Sequence, residues 1–114
     1  MNKKGNFLDF VPAVRNGITF IAGKDGQPGW LEIVHGSWAD RLAQKLFRRP
    51  TRTVVELERF GSFIWENMDG KRSIYELAGM VSQRFGAEAE PLYERIAGYY
   101  RMLHKNGYVY WKPI

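Results

Sequence analysis

Three glycines, Gly70, Gly86 and Gly107, each follow a short run with helical hydrophobic spacing, and a β-rich stretch precedes all three runs. Glycine enters the left-handed backbone region without steric cost, so one placed just past the last apolar-periodic residue stops a helix. This punctuation confines the second half of the chain to three short helices over residues 59–107, behind a small sheet. No internal repeat or low-complexity tract competes with that reading.

The strand signals lie upstream. Ile18-Thr19-Phe20-Ile21-Ala22 is β-branched and aromatic, residues 23–29 are dense turn chemistry, and residues 30–35 read as a second, hairpin-paired strand. Residues 53–58 form a third strand, with Thr53, Val55 and Leu57 on one face and Val54, Glu56 and Glu58 on the other. Between the second and third strands, Ser37 and Asp40 have capping-box spacing and Trp38, Leu42 and Leu46 recur at helical intervals. A short helix is therefore expected over residues 38–47, ended by Arg48-Arg49-Pro50.

Of the three later helices, the first is expected over residues 60–68, burying Phe60, Phe63 and Ile64, with Trp65 or Met68. The second opens on Ser73 with Glu76 three residues on, a capping box, and carries Ile74, Leu77, Ala78, Val81 and Phe85 on one stripe. Pro91 suits the first turn of the third, where a missing N–H costs nothing. Leu92, Ile96, Tyr99 and Leu103 line one face of that helix, and Tyr93, Ala97, Tyr100 and His104 a neighbouring one. Residues 108–111 read as a short β-like tail. Residues 1–14 are expected to be a flexible arm, because Pro12 argues against a regular strand there. Residues 15–114 then form a single α+β domain, winged helix-turn-helix-like: a small antiparallel three-stranded sheet followed by three helices.

At 114 residues the chain is long enough for one packed core, and its 45% hydrophobic and 15% aromatic content fits a globular fold. It has no cysteine, which removes disulfides, thiolate metal sites and thiol nucleophiles. Lys3 and Lys4 are followed by no apolar run long enough for a signal peptide or membrane span, so a cytoplasmic location without membrane contact is expected. The net charge of +5 is uneven. Residues 1–52 hold nine Lys/Arg against four Asp/Glu, and residues 53–114 hold eight against eight.

Catalysis finds no footing in these residues. His35 and His104 are far apart and in no metal-ligand spacing, and Ser37 lacks the elbow or partners of a hydrolase triad. Glu56 and Glu58 read as a solvated strand face, and Gly23-Lys24-Asp25-Gly26 lacks the spacing of a phosphate loop. No metal or cofactor is expected, and the chain is read as no enzyme. The basic cluster Arg41, Lys45, Arg48, Arg49 and Arg52 is the argument for an alternative, a winged-helix nucleic-acid binder. Glu88, Glu90 and Glu94 around the start of the third helix oppose it, since phosphate is repelled there. The third strand offers more. Its outer edge has main-chain donors and acceptors with no sequence partner left, which suits a guest strand, with Tyr93, Tyr99 and Tyr100 of the third helix as an aromatic wall. Pairing of that edge with itself in a homodimer is the competing use.

Residues 54–78 carry an ordered set of motifs: an apolar strand closed by Leu57-Glu58, then Gly61-Ser62, Ile64-Trp65, Asp69-Gly70 and the capped Ile74-Tyr75-Glu76-Leu77-Ala78. The ending adds Leu103 and, four residues on, Gly107-Tyr108-Val109. In this order and spacing the chain resembles the PqqD family over residues 52–110. The first half matches only as two generic strands, and the 38–47 segment is longer than that family's connection. The resemblance implies a precursor-peptide recognition element, a non-catalytic peptide chaperone of ribosomally made, modified peptides (RiPP biosynthesis). Such domains take the leader peptide as an extra antiparallel strand and present it to a modifying enzyme, often a radical SAM maturase. Carried onto this chain, the resemblance implies a peptide-binding strand of Thr53, Val54, Val55, Glu56 and Leu57 and a helical wall of Leu92, Ile96, Tyr99, Tyr100 and Leu103. The basic cluster adds an expected preference for acidic leaders, weakening as salt rises.

Overall fold

A computed structural model describes residues 7–34 and 52–112, Arg52 by its backbone alone. The strands are β1 (Val11–Val14), β2 (Ile18–Ile21), β3 (Trp30–Val34), β4 (Arg52–Glu56) and β5 (Val109–Lys112). The helices are α1 (Arg59–Asn67), α2 (Ile74–Phe85) and α3 (Leu92–Lys105), with 3-10 turns at Phe7–Asp9 and Gly86–Ala89. The class is α+β as expected, with a three-stranded antiparallel sheet and three helices. The helix expected over residues 38–47 lies outside the described residues. The chain divides into two units whose boundary falls after Ser62 in α1; the first begins at Asn16.

In the first unit β2, β3 and β4 form an antiparallel sheet in that order. The β2–β3 connection is built on Asp25 and Gly26, both at positive φ (54° and 78°), closed by Gln27 N–H donating to the Lys24 carbonyl at 3.0 Å. Two consecutive positive φ values make a primed turn, for which Asp-Gly is a favoured pair. At the end of this loop a Cβ on Gly29 would collide with the Ile21 carbonyl oxygen and lie 2.8 Å from the Phe20 ring. Its buried N–H donates to Ser62 Oγ at 2.9 Å, so the backbone comes this close because glycine leaves the room. Leu31 is buried on one face of the sheet, whereas Val34 and Val54 are exposed on the other.

The second unit is held by the helices and a two-stranded sheet. The Ser73 capping box is complete: Ser73 Oγ accepts from Glu76 N–H at 3.1 Å, and Glu76 Oε1 accepts from Ser73 N–H at 2.8 Å. Ile74, Leu77, Ala78 and Val81 of α2 are buried, as are Leu92, Ile96, Tyr100 and Leu103 of α3, the periodic sets read from sequence except that Phe85 is half-buried and Tyr100 takes the place of Tyr99. Before α2, Asp69 Oδ1 accepts from the backbone N–H groups of Arg72 and Lys71, each at 2.9 Å, and these bonds hold its carboxyl below the usual carboxylate range. Trp111 packs against Phe7, Phe10, Tyr100 and His104, with the imidazole stacked on the indole at 4.7 Å.

One expectation fails here. Pro12 lies inside a regular strand, β1, paired antiparallel with β5. Arg15 N–H donates to the Tyr108 carbonyl, which sets the phase of the ladder. By alternation Pro12, opposite Trp111, falls at a position whose N–H would point away from β5. Nothing is lost by its absence, and an N–H turned away from the partner is a setting that admits proline to a strand. Phe10 adds a further tie, its carbonyl accepting from Ile74 N–H at 2.9 Å.

The three helix-stop glycines all have positive φ: 76° at Gly70, 58° at Gly86 and 80° at Gly107. At Gly107 the full Schellman pair is present, Tyr108 N–H to the Leu103 carbonyl (2.9 Å) and Gly107 N–H to the His104 carbonyl (3.1 Å). Gly79 and Gly98 are different, since they sit inside helices, exposed, with nothing within 4 Å of the place an added methyl would take. Alanine should therefore act with opposite signs. Gly107→Ala is expected to destabilise by about 1 kcal/mol, and Gly79→Ala and Gly98→Ala to stabilise by about 0.5–1 kcal/mol each. Urea midpoints of the three variants check this.

Candidate functional site

The phase of the β3–β4 ladder decides what β4 offers to its surroundings. Leu57 N–H donates to the Gly29 carbonyl at 3.2 Å, one step beyond the Trp30↔Glu56 pair. Because hydrogen-bonded and non-bonded pairs alternate, Val55 and Thr53 spend their main-chain groups on Leu31 and Ile33. Val54 and Glu56 turn theirs away from β3. Among the described residues β4 pairs with β3 alone, so two N–H and two C=O groups of Val54 and Glu56 line an open edge.

Beside that edge is a shallow pocket of about 480 Å³, lined by Pro28, Gly29, Trp30, Val54, Glu56 and Leu57. Its lining combines the apolar surfaces of Pro28, Trp30, Val54 and Leu57 with main-chain groups and one carboxylate, Glu56. Trp30 Nε1 donates to Glu32 Oε2 at 3.3 Å, which links the indole to the neighbouring carboxylate on the same face. Val54 is 55% exposed, an unusual setting for a valine in a short strand. Thr53, Val55 and Leu57 are half-buried and point to the opposite face.

On α3 the expected wall residues divide. Leu92, Ile96, Tyr100 and Leu103 are buried and serve the core, while Tyr99 is half-buried, its hydroxyl accepting from Trp65 Nε1 at 3.0 Å. The Tyr100 hydroxyl is buried with no hydrogen-bond partner among the described residues, and burial, with Tyr99 beside it, pushes its phenol well above the ordinary value. Tyr93 is exposed and stacks parallel to Tyr75 of α2, centroids 6.3 Å apart. Sequence reading missed this pair, and it missed Trp30 and Pro28 beside β4. A cross-strand pairing such as Trp30↔Glu56 has no local signal, because it depends on the register of two strands far apart in sequence.

Arg41, Lys45, Arg48 and Arg49 lie outside the described residues, as does the side chain of Arg52. His35 does too. Among the described residues no group of three or more His, Asp or Glu is placed to hold a metal ion, and no helix is long and apolar enough to cross a membrane.

The fold is α+β, with a three-stranded sheet whose strand β4 pairs on one side only among the described residues. The chain belongs to the PqqD family: the sequence pattern described as coenzyme PQQ synthesis protein D (PqqD) matches residues 46–109, more than half of the 114. Membership supports a role in the biosynthesis of PQQ or of another ribosomally made, modified peptide. No curated protein is significantly similar to this chain, and no solved structure is either.

Proposed function

We propose that this protein is a non-catalytic carrier that binds the leader of a precursor peptide as an added strand on β4 and presents it to a modifying enzyme. The observation that carries this reading is the outward row of main-chain groups at Val54 and Glu56, next to a shallow pocket of mixed polarity. A guest strand satisfies those groups at a net gain of roughly 0.5–1.5 kcal/mol per hydrogen bond, and side-chain pockets beside the edge supply selectivity. Family membership supports the reading, since the resemblance assigns a leader peptide and a maturase, often of the radical SAM class, to such domains. Of the α3 residues that the resemblance assigns to peptide contact, Leu92, Ile96, Tyr100 and Leu103 are buried and Tyr99 is half-buried.

Backbone amide shifts on titration with the precursor peptide from the same gene cluster test this directly. Shifts concentrated at residues 52–58 and in α3 are the expected result. A map centred on residues 41–49, or a duplex-DNA complex at moderate salt, would transfer the function to the basic cluster. A concentration-dependent dimer that the peptide fails to dissociate would assign the edge to self-pairing.

A further inference from the structure

The register of the sheet turns the outer face beside β4 into a grid of known neighbours. One row runs Ile21, Trp30, Glu56, and the next runs Thr19, Glu32, Val54. A guest strand added antiparallel to β4 extends each row by one residue. The residue opposite Glu56 and the residue opposite Val54 occupy hydrogen-bonded positions, and both side chains stand on this same face. In an antiparallel guest the residue facing Glu56 comes first and the one facing Val54 comes two positions later. The residue between them points to the face that carries Leu31 and Val55.

The chemistry of the two positions differs. The first has the exposed Glu56 carboxylate beside it, backed by the Trp30 indole, with the Glu32 carboxylate on the same face. Both charged side chains described on β2, β3 and β4 are thus acidic. Directly opposed opposite charges stabilise a strand pair and like charges destabilise it, and an indole adds attraction for a cation. The second position lies against Val54, whose apolar surface is half open to solvent. The two described carboxylates are opposite in sign to the whole-chain balance of +5.

Resting on the strand-addition reading above, we infer that the recognised peptide segment carries Lys or Arg facing Glu56 and an aliphatic residue two positions further on, facing Val54: a basic–x–aliphatic pattern. The pocket beside Trp30 and Val54 takes the methylene stem of the basic side chain, and Glu56 takes its charge.

The test is selection of short random peptides displayed against the full chain and against Glu56→Lys and Glu56→Gln. Both variants change an exposed side chain on an edge strand, so folding is retained and is checked by circular dichroism. The unchanged chain is expected to enrich basic–x–aliphatic peptides, Glu56→Lys to enrich Asp or Glu at the first position, and Glu56→Gln to lose the charge preference. A selected peptide and its counterpart with Glu in place of the basic residue should differ in affinity on the order of tenfold at low salt, less at high salt. Peptides that move the Val54 and Glu56 amides yet show no charge preference, or a preference unchanged in Glu56→Lys, overturn this inference and leave strand addition standing. A selection that yields no binder, or binders that leave those amides unmoved, removes strand addition and the pattern with it.

Discussion

Val54→Pro is expected to abolish peptide capture while leaving the protein folded. Proline lacks the N–H, and at Val54 that N–H faces away from β3, so the ladder inside the sheet loses nothing. The guest strand loses a donor, its own carbonyl is left without a partner, and the pyrrolidine ring intrudes where its backbone must pass. A lost hydrogen bond with an unpaired acceptor costs roughly 1–3 kcal/mol, so affinity should fall by about ten- to a hundredfold from that term alone. The neighbouring position supplies the control. Val55 bonds to Leu31 through its main chain, and Val55→Pro removes a bond inside the sheet and leaves its acceptor unpaired, at a cost of about 1–3 kcal/mol before any steric clash. Thermal melts and peptide anisotropy on the pair separate the two roles: one variant keeps its melt and loses binding, the other loses its melt. Equal binding by Val54→Pro and the unchanged chain would remove β4 as the docking edge.

The second large effect is at Tyr100, which is 0% exposed and in ring contact with Tyr99 and Trp111. Tyr100→Ala should cost about 3–5 kcal/mol, a large part of the roughly 5–15 kcal/mol that keeps a domain folded. Tyr100→Phe keeps the ring and removes a buried hydroxyl that has no described partner, so it is expected to stabilise by about 1 kcal/mol. The two also differ in alkali. Burial, with Tyr99 alongside, raises the Tyr100 phenol above its ordinary 10.0, so above that pH the unfolded chain releases a proton that the folded chain retains. Stability must then fall with rising pH, by about 1.4 kcal/mol per pH unit for this group. The difference between the unchanged chain and Tyr100→Phe in urea midpoint, followed from about pH 9 to 11 at about half-unit steps, isolates the contribution. A constant difference would place the hydroxyl in contact with water or a partner.

The helices were legible because their signals are local. The Ser73–Glu76 box, the stripe of Ile74, Leu77, Ala78 and Val81, and the glycine stop at Gly107 each involve residues within about one or two turns of one another. The three strands of the sheet were legible for the same reason, through composition and alternation. β1 was not: what admits Pro12 is a partner strand, β5, at the opposite end of the chain, and no neighbour of Pro12 announces it. The two faces read on α3 could not be ranked from sequence either. Tyr100 is buried with Trp111 against it, whereas Tyr93 has Tyr75 stacked on it and still remains exposed, and both partners belong to other elements.

The candidate site divides along the same line. That the third strand pairs on one side only, as it does among the described residues, followed from counting strands, and the family followed from ordered motifs over residues 54–78 and 103–109. Which two residues of β4 turn their main chain outward, and that Trp30 and Glu56 stand side by side next to them, came only with the register. By itself the amino-acid sequence determined the three later helices, their stops, the three strands of the sheet and the family, since each of these rests on patterns a few residues apart. Only the tertiary structure decided the chemistry of the edge. Strand phase has a period of two, and a slip of one residue would exchange every bonded group, and every side chain, for its opposite.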